Sequence, residues 1–302
     1  MGALPRPVAV VVGGGGVLGA AHVGVGYALE QRGFVPDLIV GTSVGALTGA
    51  IAAAHPDRAA PWLDHVWTHL RRREVYPFGF LSSRSAIFSD RGLRRLIARA
   101  GLPSRIEELP IPFTAVAMDL VTGAEVLIDH GDLEAALLAS AAIPGVLPPV
   151  IHEDRTLVDG GMVAYVPVRA AEQAGAASVV VLSTGPASWP LRPTTPPRGA
   201  GAIASRAAVL QVHHQIEGDL RAVSEHLPTV VLPTGIEEWP APWDFGHSQR
   251  LIRTASVTAG RFLDQLHIDG AGLYRDDDHA RAGQAPAGRV HPPTSSRAGV
   301  TR

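Results

Sequence analysis

Cysteine and lysine are both absent from the 302-residue chain. Without cysteine no disulfide and no thiolate metal site can form, so packing alone must hold the fold. Without lysine, the fixed positive charge is all arginine; at a formal net charge of −2 and 18% charged residues, no global field favours nucleic acid. Long apolar runs are lacking as well. The nearest approach to a membrane span, residues 46–54, is too short and is closed by His55-Pro56-Asp57. The start, MGALPRP, passes directly into VAVVV, with no signal-peptide apolar core and no Ser or Thr of a myristoylation site. These absences lead to the expectation of a cytoplasmic protein whose membrane contact, if any, is peripheral. What is present is apolar mass: 46% hydrophobic residues supply a sizeable core and exclude disorder throughout.

Short β-branched runs alternate with alanine-rich stretches at residues 8–12, 19–31, 38–40 and 44–54, a βαβα rhythm with strands buried on both faces. Further strands are expected at 113–117, 125–128, 178–182 and 229–232, and helices at 133–142 and 168–174. The predicted class is α/β, with a largely parallel central sheet sandwiched by helices. Residues 56–105 break the rhythm with helical patterns joined by an aromatic-rich link, and are expected to form a lid-like insertion. Residues 185–201, crowded with proline, read as a surface excursion. The main domain is expected to span 1–273, with 274–302 as a disordered tail on composition.

Three motifs bear chemistry. Gly13-Gly14-Gly15-Gly16-Val17-Leu18-Gly19 lies between a strand and a helix, where exposed backbone N–H groups suit a phosphate or an oxyanion equally. Gly41-Thr42-Ser43-Val44-Gly45 is a GxSxG pattern in strand–turn–helix order, the context of a nucleophile elbow, although glycine-rich chains also produce it as a simple turn. Leu157-Val158-Asp159-Gly160-Gly161 ends a short apolar run in an aspartate, which an isolated Asp-Gly-Gly more often uses as a turn residue than as a base.

In order and spacing these motifs, together with Met118-Asp119-Leu120-Val121-Thr122-Gly123 and Ala139-Ser140-Ala141-Ala142-Ile143-Pro144, resemble the patatin-like phospholipase family. The resemblance covers residues from about Val8 to Leu182. It implies a three-layer lipid acyl hydrolase acting without cofactor or metal on fatty acyl esters of phospholipids, lysophospholipids or glycerides. Ser43 would be the nucleophile and Asp159 its base, in a dyad. It also implies an oxyanion hole around Gly14, Gly15, Gly16, Val17 and Gly19, elbow glycines Gly41 and Gly45, and a DGG motif completed by Gly160 and Gly161. One departure is Leu18, where the family commonly carries Arg or Lys.

Three other classes compete. The glycine loop also fits a dinucleotide fingerprint, but the acid that should follow the second strand is missing: Asp37 precedes residues 38–40 and stands at the wrong end. A Ser-Asp-His triad would draw on His213, His214, His226, His247, His267, His279 or His291, yet only two strands precede Ser43, fewer than an α/β-hydrolase normally places before its nucleophile. His213 and His214 read as solvated helix residues. A catalytically weak or inactive lipid-binding protein on the same fold is the third. His22 reads as a packed histidine, and Asp119 as a turn or supporting residue. Asp129, His130, Asp132, His152, Glu153 and Asp154 have no convergent metal-binding spacing. Trp62, Trp67 and Arg71-Arg72-Arg73 suggest a face for lipid head groups or an amphipathic helix packed on the sheet.

Overall fold

A computed structural model of the chain describes residues 4–77, 86–184, 197–236 and 244–276. The valine-rich runs form strands: β1 (Val8–Val12), β2 (Leu38–Thr42), β3 (Phe113–Asp119), β4 (Glu125–Ile128), β5 (Val150–His152), β6 (Arg155–Asp159), β7 (Ser178–Leu182), β8 (Pro228–Leu232) and β9 (Gly272–Tyr274). They make one sheet in the order β5-β6-β3-β2-β1-β7-β8-β9, with β4 paired to β3. The strands β3, β2, β1, β7, β8 and β9 run parallel, whereas β4, β5 and β6 are joined by antiparallel ladders. Every residue of β1, β2, β7 and β8 is buried, as continuous apolar runs require when helices cover both faces.

The helices are α1 (Ala20–Glu30), α2 (Val44–Ala54), α3 (Ala59–His69), α4 (Arg72–Val75), α5 (Arg91–Arg99), α6 (Leu133–Ser140), α7 (Val168–Gln173), α8 (Ala200–Ser224) and α9 (Ser248–Gln265). Alternation along the strands divides the core in two. Val8, Val10 and Val12 face a large cluster shared with α1, α2, α3, α5, α6 and α9. Ala9 and Val11 face a smaller cluster closed by α7 and α8. The result is a three-layer α/β/α arrangement, as the sequence rhythm predicts.

One detail of register positions the chemistry. Along β3, residues Phe113–Val116 pair with β2, Ala115–Met118 with β4, and Ala117–Asp119 with β6. A strand has only two edges, and β4 overlaps both other partners, so β2 and β6 must occupy the same edge in succession. β2 ends at Thr42 opposite Val116, and β6 ends at Asp159 opposite Ala117. The two strands therefore meet head to head, with Ser43 and Asp159 at the junction.

One expectation is modified. Tyr274 belongs to β9, and Arg275 pairs with Glu217 on α8 at 2.7 Å, so ordered structure runs past the expected boundary at 273. Most of the Pro-rich excursion and of the expected tail lies outside the described residues. Chain termination after Asp276 is expected to leave the thermal midpoint unchanged, on compositional grounds. Termination after Gly270 removes β9 and the Arg275–Glu217 pair, and should cost about 2 kcal/mol, roughly 5 °C in a melting experiment.

Candidate active site

Ser43 sits at the turn between β2 and α2 with φ 58° and ψ −126°, a left-handed conformation that a side chain adopts only under constraint. The constraint is the close approach of α2 to the strands beside it: a Cβ on Gly45 would lie 2.1 Å from the Val12 carbonyl oxygen. The elbow expected at Gly41 and Gly45 is therefore a steric necessity of this packing.

The strain projects the Ser43 hydroxyl toward the end of β6, where Oγ donates to Asp159 Oδ2 at 2.6 Å. Both residues are buried. The other oxygen of Asp159 accepts the Gly161 N–H at 2.7 Å, and its backbone N–H donates to the Ala142 carbonyl at 2.9 Å. Burial pushes the Asp159 carboxyl up to about 6, against the smaller lowering effect of the Ser43 and Gly161 hydrogen bonds. Tyr76 and Tyr165 lie close enough for the Asp159 charge to add to the effect of burial, and both phenols are pushed up to about 12. Neither tyrosine stands out in the sequence, because each becomes a neighbour of the site only through tertiary packing.

The glycine loop lies beside the serine, and Gly16 and Ser43 share one cavity wall. Not all of its N–H groups are available. Gly13 donates to the Leu182 carbonyl, Gly14 to the Tyr165 carbonyl and Leu18 to that of Gly15. This corrects Gly14 as an oxyanion donor: its N–H is committed at 2.9 Å. The N–H groups of Gly15, Gly16 and Val17 have no acceptor among the described residues, while Gly19 closes the 3-10 turn Gly16–Gly19. Gly15 has φ 147°, and a Cβ there would meet Thr184 Oγ1 at 1.8 Å, so the loop tolerates no side chain at that point. Leu18 is buried in the large core cluster rather than presenting a polar group to the site.

An apolar cavity of about 90 Å³ opens from Ser43, running along α2 past Leu47, Thr48 and Ile51 and bounded by α3 and α5. The insertion at 56–105 thus supplies the cavity's outer wall. Trp62, half-buried, and Trp67, buried and stacked on Phe245 at 6.1 Å, line it, so Trp67 packs inward as in the amphipathic-helix reading. Arg71, Arg72 and Arg73 remain on the exterior.

The rival assignments fare differently. Asp37 is held by Arg6 at 2.5 Å and by the Val8 N–H at 2.6 Å at the far end of β2, remote from the glycine loop. No histidine among the described residues hydrogen-bonds Ser43 or Asp159; His226 is tied to the Ala222 carbonyl and His247 to Asp244. His279 and His291 lie outside the described residues. His213 is half-buried in α8 and burial lowers its proton affinity, unlike the solvated residue expected. His22 is enclosed in α1 as expected of a packed histidine, yet neither ring nitrogen has a hydrogen-bond partner. Asp119 caps the β3–β4 turn, accepting the Val121 N–H at 2.8 Å.

Ser140, at the end of α6, supports the elbow, although no sequence motif assigns it a role. Its Oγ accepts the Ser43 N–H at 2.9 Å and donates to the Val116 carbonyl at 2.6 Å, tying the elbow to β3 where β2 gives way to β6. Ser140→Ala strands both buried groups, at about 1–3 kcal/mol each. It should lower the melting temperature and reduce kcat while leaving KM nearly unchanged, and Ser140→Thr, which retains the hydroxyl, should recover much of the loss.

The patatin-like phospholipase family profile matches residues 10–172, more than half of the chain. An uncharacterized NTE family protein of Mycobacterium tuberculosis is 39% identical over 165 residues, 54% of this chain and 45% of that protein. Patatin-like phospholipase domain-containing protein 6 of Homo sapiens is 31% identical over 188 residues, 59% of this chain and 13% of that one. The chain therefore spans less than half the length of either relative. VipD from Legionella pneumophila, in its crystal structure, is 14% identical with a TM-score of 0.47, covering 86% of this chain and 67% of that one. With its glycine loop, serine elbow and DGG aspartate inside the matched span, the chain belongs to the patatin-like phospholipase family.

Proposed function

We propose that the protein is a serine acyl hydrolase that cleaves fatty acyl esters of phospholipids, lysophospholipids or glycerides through an acyl-serine intermediate. The observation that bears most on this reading is the 2.6 Å hydrogen bond from Ser43 Oγ to a buried carboxylate at the mouth of an apolar cavity. Serine is a weak nucleophile until a base takes its proton. An ordinary carboxylate is a poor base at neutral pH, but burial raises Asp159 to about 6, nearer the optimum for proton transfer.

In the proposed cycle the apolar cavity takes the acyl chain and brings the ester carbonyl to Ser43. The hydroxyl oxygen attacks the carbonyl carbon as Asp159 Oδ2 receives the proton. The carbonyl oxygen gathers negative charge, and the N–H groups of Gly15, Gly16 and Val17 are the donors left uncommitted to receive it. Asp159 then returns the proton to the departing alcohol. A water, deprotonated by the same carboxylate, releases the fatty acid. The alternative, a lipid-binding protein without turnover, leaves a buried carboxylate of raised proton affinity beside the Ser43 hydroxyl without a use.

Ser43→Ala should abolish labelling by a fluorophosphonate probe and all esterase activity with the protein still folded; hydrolysis above background would remove Ser43 as nucleophile. Asp159→Asn keeps the side chain's shape and should lower kcat by ~10³-fold or more with KM little changed. Replacing His213, His214, His226, His247 or His267 singly should leave substantial activity, and an equally deep loss at any of them would point to a triad instead.

The pH dependence has a definite sign. Asp159 must be ionised to act as base, so kcat/KM should rise through pH about 6 and level off above it. Because the folded-state pKa is raised, folding favours the protonated form, and this carboxyl's contribution to stability declines as pH rises from the ordinary carboxylate range through about 6. The melting temperature of Asp159→Asn relative to the unsubstituted protein should therefore increase across that window.

A further inference from the structure

A second cavity, of about 70 Å³, lies beside the first, between β1, α1, α2 and α3. Thr48 and Leu63 belong to the walls of both, so these two side chains are the partition between them. Most of the second chamber's wall is aliphatic or aromatic, but His22 contributes an imidazole that is only 1% exposed and has no hydrogen-bond partner at either nitrogen. The other ionisable side chain on this wall, Glu30, is already engaged through Oε1 by the Ala60 N–H at 2.8 Å. Buried polar groups normally find partners, and one left without a partner inside a cavity marks a place where a ligand or water completes the bonding.

The chemistry of the missing partner follows from that of the imidazole. Burial pushes His22 down to about 3, against the smaller raising effect of the nearby Leu182 carbonyl, so the ring is neutral and offers one N–H donor and one lone-pair acceptor. A hydroxyl has the same pair of capacities. A carboxylate is acceptor-only and an ammonium donor-only, and either would bring an uncompensated charge into an apolar chamber. Thr48 is five residues beyond Ser43 in the sequence, hence ~7.5 Å along α2 from the nucleophile. A chain esterified at Ser43 and lying along α2 thus passes the partition well beyond its carbonyl.

We propose that the second chamber binds the distal part of an acyl chain carrying a hydroxyl group, with His22 as hydrogen-bond partner and Leu63 as the side chain that admits or blocks the chain. The assignment rests on the reading of the first cavity as an acyl pocket. It adds a preference among acyl chains that no feature of the Ser43–Asp159 pair would produce.

Isothermal titration calorimetry of the whole chain with dodecanoic acid and with ω-hydroxydodecanoic acid tests this without requiring turnover. The hydroxylated acid should bind about fivefold tighter, the equivalent of one net hydrogen bond. His22→Phe should erase the difference, and so should Leu63→Phe, which thickens the partition without touching the imidazole and serves if the His22 variant does not fold. Equal affinities in the unsubstituted protein mean that the chamber holds water only and overturn the proposal, as does failure to bind either acid. A difference that survives in both folded variants overturns it too. Since no ester is cleaved, an inactive protein that discriminates still supports the chamber's role, and an active esterase that does not discriminate refutes the chamber alone.

Discussion

Two strands share one edge of β3, and the meeting of Ser43 with Asp159 depends on that sharing. β2 arrives from the parallel half of the sheet and stops opposite Val116; β6 arrives from the antiparallel half and stops opposite Ala117. Neither strand can continue along that edge without meeting the other. The chain after β2 must therefore turn away sharply, which produces the strained Ser43, and the chain after β6 must also leave, which it does through Gly160 and Gly161. Ser140 fastens the joint by bonding to Ser43 on one side and Val116 on the other. Strain at Ser43 is thus a consequence of sheet topology, sustained by the packed layers around it.

Register also explains how legible the molecule is in its sequence. β1, β2, β7 and β8 are continuous β-branched runs because helices cover both faces, and such runs can be read directly. β5 and β9 are only three residues each and carry no period, so they emerge only from pairing with β6 and β8. Gly-Thr-Ser-Val-Gly and Asp-Gly-Gly are legible as motifs because backbone sterics restrict what can occupy such turns. What sequence does not express is contact between distant segments: that the Gly14 N–H is taken by the Tyr165 carbonyl, that Ser140 underpins Ser43, or that Trp67 turns inward against Phe245. An aromatic and an arginine cluster in one helical stretch looks like a surface anchor until the tryptophans are found facing a cavity.

The cavity and the carboxylate are physically coupled. Asp159 is linked to the cavity through two of its wall residues, Ser43, which donates to its carboxylate, and Tyr76, whose phenol feels its charge, and burial is the largest influence on its proton affinity. Tyr76 belongs to both, lining the cavity while sensing the Asp159 charge.

Leu18 fits the same logic. Its side chain is apolar and buried in the large core cluster, so position 18 supplies no cation to the glycine loop. No charged side chain contributes to the shift of Asp159; burial, Ser43 and Gly161 account for it. Positive potential at this site comes instead from the backbone: the N–H groups of Gly15, Gly16 and Val17, and the N-terminal end of α2, which begins at the residue after Ser43. Under the proposed reading, directed N–H groups can serve an oxyanion while no cation stands beside Asp159 to lower its proton affinity.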